Sequence, residues 1–320
     1  IRLYANDYNH DVREHVDNNA NQFMNSEKTG IKDEAKTHIK NNPGVLLVAL
    51  RPKLDKPGYN FMNEYNVQME YVYEFLNNNL PVFIWDQDGW CDMLPDDIKN
   101  DVVLLKPYTE MLDSSFPKQE DFLFGWFKPQ FDNKLTALAK SKKFDVGYCG
   151  NVYGRRDDFY EYFGRFAETS RSVNIQGNWL RKKYGDRDFS LDNFPNFMFF
   201  GRTPHWSTLP TIAMSKSVFH FSNPHQQNIG MPTARVFEAL MGKSTLFCSS
   251  KIKNIDRFVP EELIVETGDE LFEKWSTIEH DDNWDHYRQL FVDKLAVYEH
   301  TYDYRAKQFI SYINKYFGGK

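Results

Sequence analysis

Along this chain, short apolar runs alternate with longer stretches in which apolar positions recur every three or four residues. The first pattern fits buried strands and the second amphipathic helices. Residues 1–5 and 45–50 (VLLVAL) read as strands, with Asn41-Asn42-Pro43-Gly44 as the turn before the second. Residues 61–79 carry Val67, Tyr71, Val72, Phe75 and Leu76 at helical spacing, and Asn77-Asn78-Asn79 ends them before a strand at 81–85. Strand, helix and strand within about forty residues make a βαβ unit, which implies a parallel sheet with right-handed crossovers. A strand at 102–105 extends it. A second series follows: strand 144–148, loop 149–154, helix 156–169, strand 172–176, a strand or loop at 197–200, and a helix at 207–214. Strand 217–222, a helix from Thr233 to Gly242, strand 245–248 and a short strand at 263–265 complete it. The polar segment 7–42 is expected to hold a helix over 11–24, and 284–317 reads as one long helix ending at Gly318-Gly319.

This doubling gives an α/β fold with a first domain over 1–143 and a second over 144–282. A helical segment over 283–320 is expected to pack back toward the first. Two such halves place a ligand cleft beyond the carboxyl ends of their strands. Composition adds limits. The 320 residues are 41% hydrophobic and 16% aromatic, enough for two globular cores. The apolar runs are far too short to span a bilayer, so no membrane partner is expected. No leader pattern opens the sequence, and Cys91, Cys149 and Cys248 are widely spaced, so a reducing cytoplasm is the expected home. With 39 Lys+Arg against 45 Asp+Glu, the net charge of -6 argues against a surface coated in basic residues. A local basic cleft is still compatible with it.

Candidate chemistry concentrates in residues 217–250. Thr233 is placed to cap a helix on which Arg235 and Glu238 lie three residues apart, on one face. A helix N-terminus with a guanidinium suits a diphosphate, and the carboxylate can accept both ribose hydroxyls. A surface ion pair on an ordinary helix is the alternative. The loop CGNVYGRR joins a strand to a helix: Gly150 and Gly154 allow close backbone approach, and Arg155 and Arg156 stand at the helix start. It does not fit GxGxxG, so the dinucleotide fingerprint is absent. Asp86, in Trp85-Asp86-Gln87-Asp88, follows a strand and can act as a base on a hydroxyl acceptor, or simply cap the loop. The same D-x-D spacing raises Asp88 as a metal ligand beside Asp86. The nine histidines show no metal-binding spacing, His220 reads as a core residue, and GxSxG does not occur. Arg181, Lys182, Lys183 and Arg187, and the lysines near Lys140, could touch nucleic-acid phosphates or merely be solvated.

Five segments, in order, resemble the DNA beta-glucosyltransferase family of T-even phages, two-domain enzymes acting on hydroxymethylcytosine in DNA. EFLNNNLPVFIWD is similar to the helix and strand leading to that family's catalytic aspartate. DVGYCGN with GRR resembles its phosphate loop, VNIQGNWLRKKY its strand-Gly-Asn segment, FFGRTP its uracil-facing turn, and TARVFEAL its Thr-x-Arg-Val-Trp-Glu helix. The resemblance spans about residues 44–250. It implies a GT-B fold, with two Rossmann-like domains facing each other across a cleft, and a UDP-sugar donor. Gly150, Asn151, Gly177 and Asn178 would line the donor site. Arg156, beside Arg155, and Arg235 would bind the diphosphate, Glu238 the ribose, and Thr203 the base through its main chain. Asp86 would be the general base in a direct displacement onto a hydroxymethylated base flipped out of double-stranded DNA, aided or not by Mg or Mn. A hexose and a pentose are both compatible. The adjacent arginines, the unmatched segment 6–21 and the acidic balance depart from the family and bear mostly on the acceptor. A GT-B enzyme acting on a glycan, lipid or small molecule is the alternative, followed by a metal-dependent enzyme of the other glycosyltransferase fold and a non-catalytic binding module.

Overall fold

The computed structural model describes residues 3–6, 33–41, 44–53, 61–108, 115–125, 137–152, 154–179, 191–201 and 208–318. The helix expected over 11–24 lies outside them. The chain forms two units, one of residues 1–122 with 308–320 and one of residues 123–307. Residue 143, where a domain boundary was expected, falls inside the second.

The first unit runs β1 (Leu3–Asn6), α1 (Asp33–Asn41), β2 (Val45–Ala49), α2 (Phe61–Asn77), β3 (Val82–Trp85), β4 (Val103–Lys106) and β5 (Gln119–Asp121). All five strands pair in parallel, in the order β1-β2-β3-β4-β5. Alternate residues of a strand face opposite sides of a sheet. Val82, Ile84 and Leu104 accordingly join Tyr65, Met69, Val72 and Phe75 of α2 in one core, while Phe83, Val103 and Leu105 build another. Right-handed crossovers between neighbours taken in sequence order put their helices on one face only. The opposite face is covered by Phe309 and Ile313, from the far end of the chain. Gln68, buried in α2, ties its helix to β2 by donating to Ala49 O (2.8 Å) and accepting from Arg51 N (3.0 Å).

The second unit runs β6 (Phe144–Cys149), α3 (Arg156–Ala167), β7 (Val173–Gln176), β8 (Phe197–Phe200), α4 (Thr208–Ala213), β9 (Ser215–His220) and α5 (Pro224–Asn228). It continues with α6 (Ala234–Met241), β10 (Thr245–Ser249), β11 (Ile264–Val265), α7 (Gly268–His280), α8 (Trp284–Leu295) and α9 (Tyr302–Phe317), the last of which ends among first-unit residues. Its six parallel strands lie in the order β11-β10-β9-β6-β7-β8. Numbered from β6, this is the doubly wound order 3-2-1-4-5-6, which reverses between β6 and β9 and opens a crevice at their carboxyl ends. The core is heavily aromatic. Phe159, Tyr162, Phe163 and Phe166 form the buried stripe of α3, and Phe159 packs 4.3 Å from Trp179 between ring centroids.

The strand expected over 217–222 runs instead over Ser215–His220; Ser215 is buried with its hydroxyl donating to Thr211 O, which hides it from a hydrophobicity reading. The expected single helix over 284–317 is broken. Between α8 and α9 the chain makes a short 3-10 turn at Tyr298–His300, and Thr301 Oγ1 accepts from Tyr304 N to start a new helix. α7 was not foreseen, although Thr267 and Glu270 carry the capping signature and each accepts a backbone N–H at its start.

Candidate functional site

The crevice of the second unit is built by the loop after β6 and the N-terminus of α6. Three consecutive carbonyls of that loop accept side-chain donors: Cys149 O from Arg235 Nε (3.1 Å), Gly150 O from Trp179 Nε1 (2.7 Å), and Asn151 O from Arg155 Nη1 (3.1 Å). Asn151 Oδ1 takes the N–H of Asn178 (3.0 Å), joining the loops after β6 and β7. Gly177 sits at φ +144°, and a Cβ there would lie 2.0 Å from Gly150 O. Gly150, Asn151, Gly177 and Asn178 therefore meet at one place, as their expected common role requires.

Of the two adjacent arginines, Arg155 is the one turned inward. Its Nη2 donates to Gln226 Oε1 (3.0 Å), and its Nε is buried without a hydrogen-bond partner. Arg156 instead reaches Asp157 (3.1 Å) at a part-exposed position. Both arginines are half-buried, and the loop conformation, which helix periodicity does not encode, sets their contacts apart. Arg235 and Glu238 pair on the first turns of α6, whose N-cap Thr233 accepts the Arg235 N–H at 3.3 Å. His220 ends β9 and is buried, with Arg155 and Arg235 both near enough to act on it electrostatically. Desolvation first, and those two cations second, hold its pKa down to about 3. Sequence reasoning left His220 in the core and missed Gln226 and Trp179. A polar residue at the carboxyl end of a central strand was the available signal. Asn178 adds a buried Oδ1 with no partner. Thr203, Lys134, His205, Arg181, Lys182, Lys183 and Arg187 lie outside the described residues.

Lys142, grouped with the basic edge, is turned inward. Its ammonium donates to Ala213 O (2.9 Å), Lys243 O (3.1 Å) and Ser244 Oγ (3.2 Å), so it ties the end of α4 to the turn after α6.

In the first unit, Asp86 follows β3 and is fully buried. Oδ1 accepts from Trp90 N (2.6 Å), and Oδ2 accepts from Cys91 N (2.9 Å) and Tyr108 Oη (3.0 Å). Burial raises its pKa above the usual carboxylate value, against the pull of those donors. Asp86 thus caps the turn Cys91–Met93 as well as standing where a base was expected. Its two oxygens together accept three hydrogen bonds. Among the described residues, no group of three or more His, Cys, Asp or Glu could hold a metal ion.

The Glycosyl transferase-like family profile matches residues 155–311. In solved structures, the chain is similar to T4 phage BGT in complex with UDP and Mn2+, at 15% identity and TM-score 0.57, over 86% of this chain and 83% of that one. It is also similar to a glycosyltransferase from Rickettsia africae, at 10% identity and TM-score 0.59, over 90% and 80%. A third likeness is to an alpha-glucosyltransferase in complex with UDP-glucose and DNA containing an abasic site, at 11% identity and TM-score 0.54, over 88% and 83%. At these identities the likeness is one of fold. No curated protein matches the chain. The two parallel-sheet units have the fold of the GT-B glycosyltransferases, and residues 155–311 match the glycosyl transferase-like family model; together they indicate a glycosyltransferase. Among the described residues no helix is long and apolar enough to cross a membrane.

Proposed function

We propose that this glycosyltransferase takes its sugar from a UDP-sugar bound in the crevice of the second unit. One observation carries the reading: Arg155, Arg235, the N-terminus of α6 and the Glu238 carboxylate converge at the strand-order reversal between β6 and β9. The guanidiniums and the helix terminus suit the diphosphate, where charge develops as the leaving group departs. Glu238 offers two acceptor oxygens to the ribose, and Gly150, Asn151, Gly177 and Asn178 line the approach. UDP or UDP-glucose in the fold neighbours agrees with this donor class.

In the reaction, an acceptor hydroxyl oxygen forms a bond to the anomeric carbon, the bond from that carbon to the diphosphate oxygen breaks, and the hydroxyl proton passes to Asp86. Burial raises the Asp86 pKa toward the range where a base is useful. It also means that the Gln87–Cys91 turn must give way for the acceptor to reach it.

The acceptor is the hydroxymethyl group of modified cytosine in double-stranded DNA, extruded from the stack at a cost of a few kcal/mol. The ordered motifs of the phage family and the fold likeness to T4 phage BGT support this choice. The net charge of -6 favours a second reading, transfer to a glycan, lipid or small molecule. Mass spectrometry of hydroxymethylcytosine DNA after incubation with a panel of UDP-sugars decides between them. A hexose or pentose mass gain is expected. No gain with any sugar, while UDP still binds, would leave the second reading. Asp86→Asn should abolish transfer and keep UDP binding, and full transfer would remove Asp86 from its role.

A further inference from the structure

His220 is the polar residue that neither the donor reading nor the core explains. It is 5% exposed, and its Nε2 lies 3.2 Å from Thr233 Oγ1 and 3.4 Å from Ser222 Oγ. Thr233 Oγ1 already accepts the N–H of Arg235. A hydroxyl that accepts from an amide keeps its own proton to donate, and a neutral imidazole has one nitrogen able to accept it. An imidazolium would have no acceptor nitrogen and would set a third cation beside Arg155 and Arg235.

We infer that His220 is a positioning residue of the nucleotide site: as the Nδ1–H tautomer it accepts the Thr233 hydroxyl at Nε2 and fixes the cap from which Arg235 and Glu238 project. The inference rests on the nucleotide reading of this crevice. Thr233 is the joint. Its oxygen receives the first-turn N–H of α6, and its proton goes to the strand that borders the strand-order reversal. With both bonds made, the hydroxyl has one rotamer and one direction, so the helix start is tied to β9 rather than only to its own backbone. Arg235 and Glu238 are two and five residues beyond that cap, so a cap that drifts moves both groups together.

The test measures UDP affinity by calorimetry for the wild type, His220→Leu, His220→Gln, Thr233→Val and the double variant His220→Leu/Thr233→Val. Each single apolar change should weaken UDP binding about 10-fold, and the double no more than either single, because both remove one interaction. His220→Gln, whose amide oxygen can accept the same hydroxyl, should recover most of the loss. In the wild type, imidazole 15N shifts should show the Nδ1–H tautomer at neutral pH, a reading that does not depend on whether a variant folds. An Nε2–H tautomer, multiplicative losses in the double variant, or wild-type affinity in folded His220→Leu would each overturn the inference while leaving the nucleotide reading intact. If the wild type binds no UDP, the nucleotide reading falls and the inference falls with it.

Discussion

Arg235 and Glu238 form an ion pair one turn apart on α6, with 5% of the Glu238 side chain and 28% of the Arg235 side chain exposed. The carboxylate is the buried member, so the two residues are not equivalent under mutation. Removing Arg235 takes the counter-ion from a buried carboxylate, whereas Glu238→Gln leaves a part-exposed guanidinium that still donates to Cys149 O. Arg235→Ala should therefore cost about 3 kcal/mol of stability, the low end for a broken buried pair because Arg235 keeps some water. Glu238→Gln should cost about 1 kcal/mol. Urea unfolding of both variants checks the order, and both should weaken UDP binding.

Gly177 and Gly164 give opposite expectations for the same change. At Gly177, φ +144° and a Cβ position 2.0 Å from Gly150 O leave alanine no room, so Gly177→Ala should push the loop at Gly150 and Asn151 aside. The expected loss is about 3 kcal/mol or more, with UDP binding lost in whatever folds. Gly164 lies inside α3 with nothing within 4 Å of its Cβ position, so Gly164→Ala should stabilise by about 0.5–1 kcal/mol. Thermal unfolding separates the two.

The second unit was the more legible half, and these glycines show why. Gly150, Gly177, Thr233, Arg235 and Glu238 belong to local strand-loop-helix signals, each complete within a few residues. Arg155 and His220 depend instead on which way a loop turns and on what lies across the crevice, and no periodicity encodes that. The Asp86 cluster was half visible. A carboxylate after a strand could be read as base or cap, but its burial under Trp90, Cys91 and Tyr108 comes from residues up to twenty-two positions away. The gap before α9 stayed hidden because its helical period continues on both sides of a cap made by a single threonine.

Tyr108 gives Asp86 its only side-chain oxygen donor among the described residues. Tyr108→Phe removes a bond to the ionised form and should cost about 1–3 kcal/mol of stability. The proposed base works ionised, so activity rises as pH climbs through its pKa. Losing a donor that lowers that pKa moves the acidic limb of the pH–rate profile to higher pH. An unmoved limb in active Tyr108→Phe would show that the limb belongs to another group.

Lys142 predicts a pH dependence of stability. Burial pulls its pKa down to about 8, with Arg288 adding to the effect, against an ordinary lysine in the unfolded chain. Between pH 8 and the unfolded value of 10.5 the unfolded state binds more protons, so this group's contribution to stability rises with pH across that window. Below pH 8 the cost of its buried charge is fully present. Lys142→Met should flatten the rise when unfolding free energies are compared at pH 7.5 and 9.5.

The packing of Phe309 and Ile313 against Phe83, Val103 and Leu105 sets an order of events during synthesis. A ribosome delivers the β-sheet of the first unit early, yet the side formed by Phe83, Val103 and Leu105 lacks Phe309 and Ile313 until that later segment emerges. Everything that completes the second unit is made before that moment. The unit that is begun first is thus completed after the second, and a released chain truncated just before Phe309 should present a sticky surface to chaperones while residues 123–307 are all present to fold.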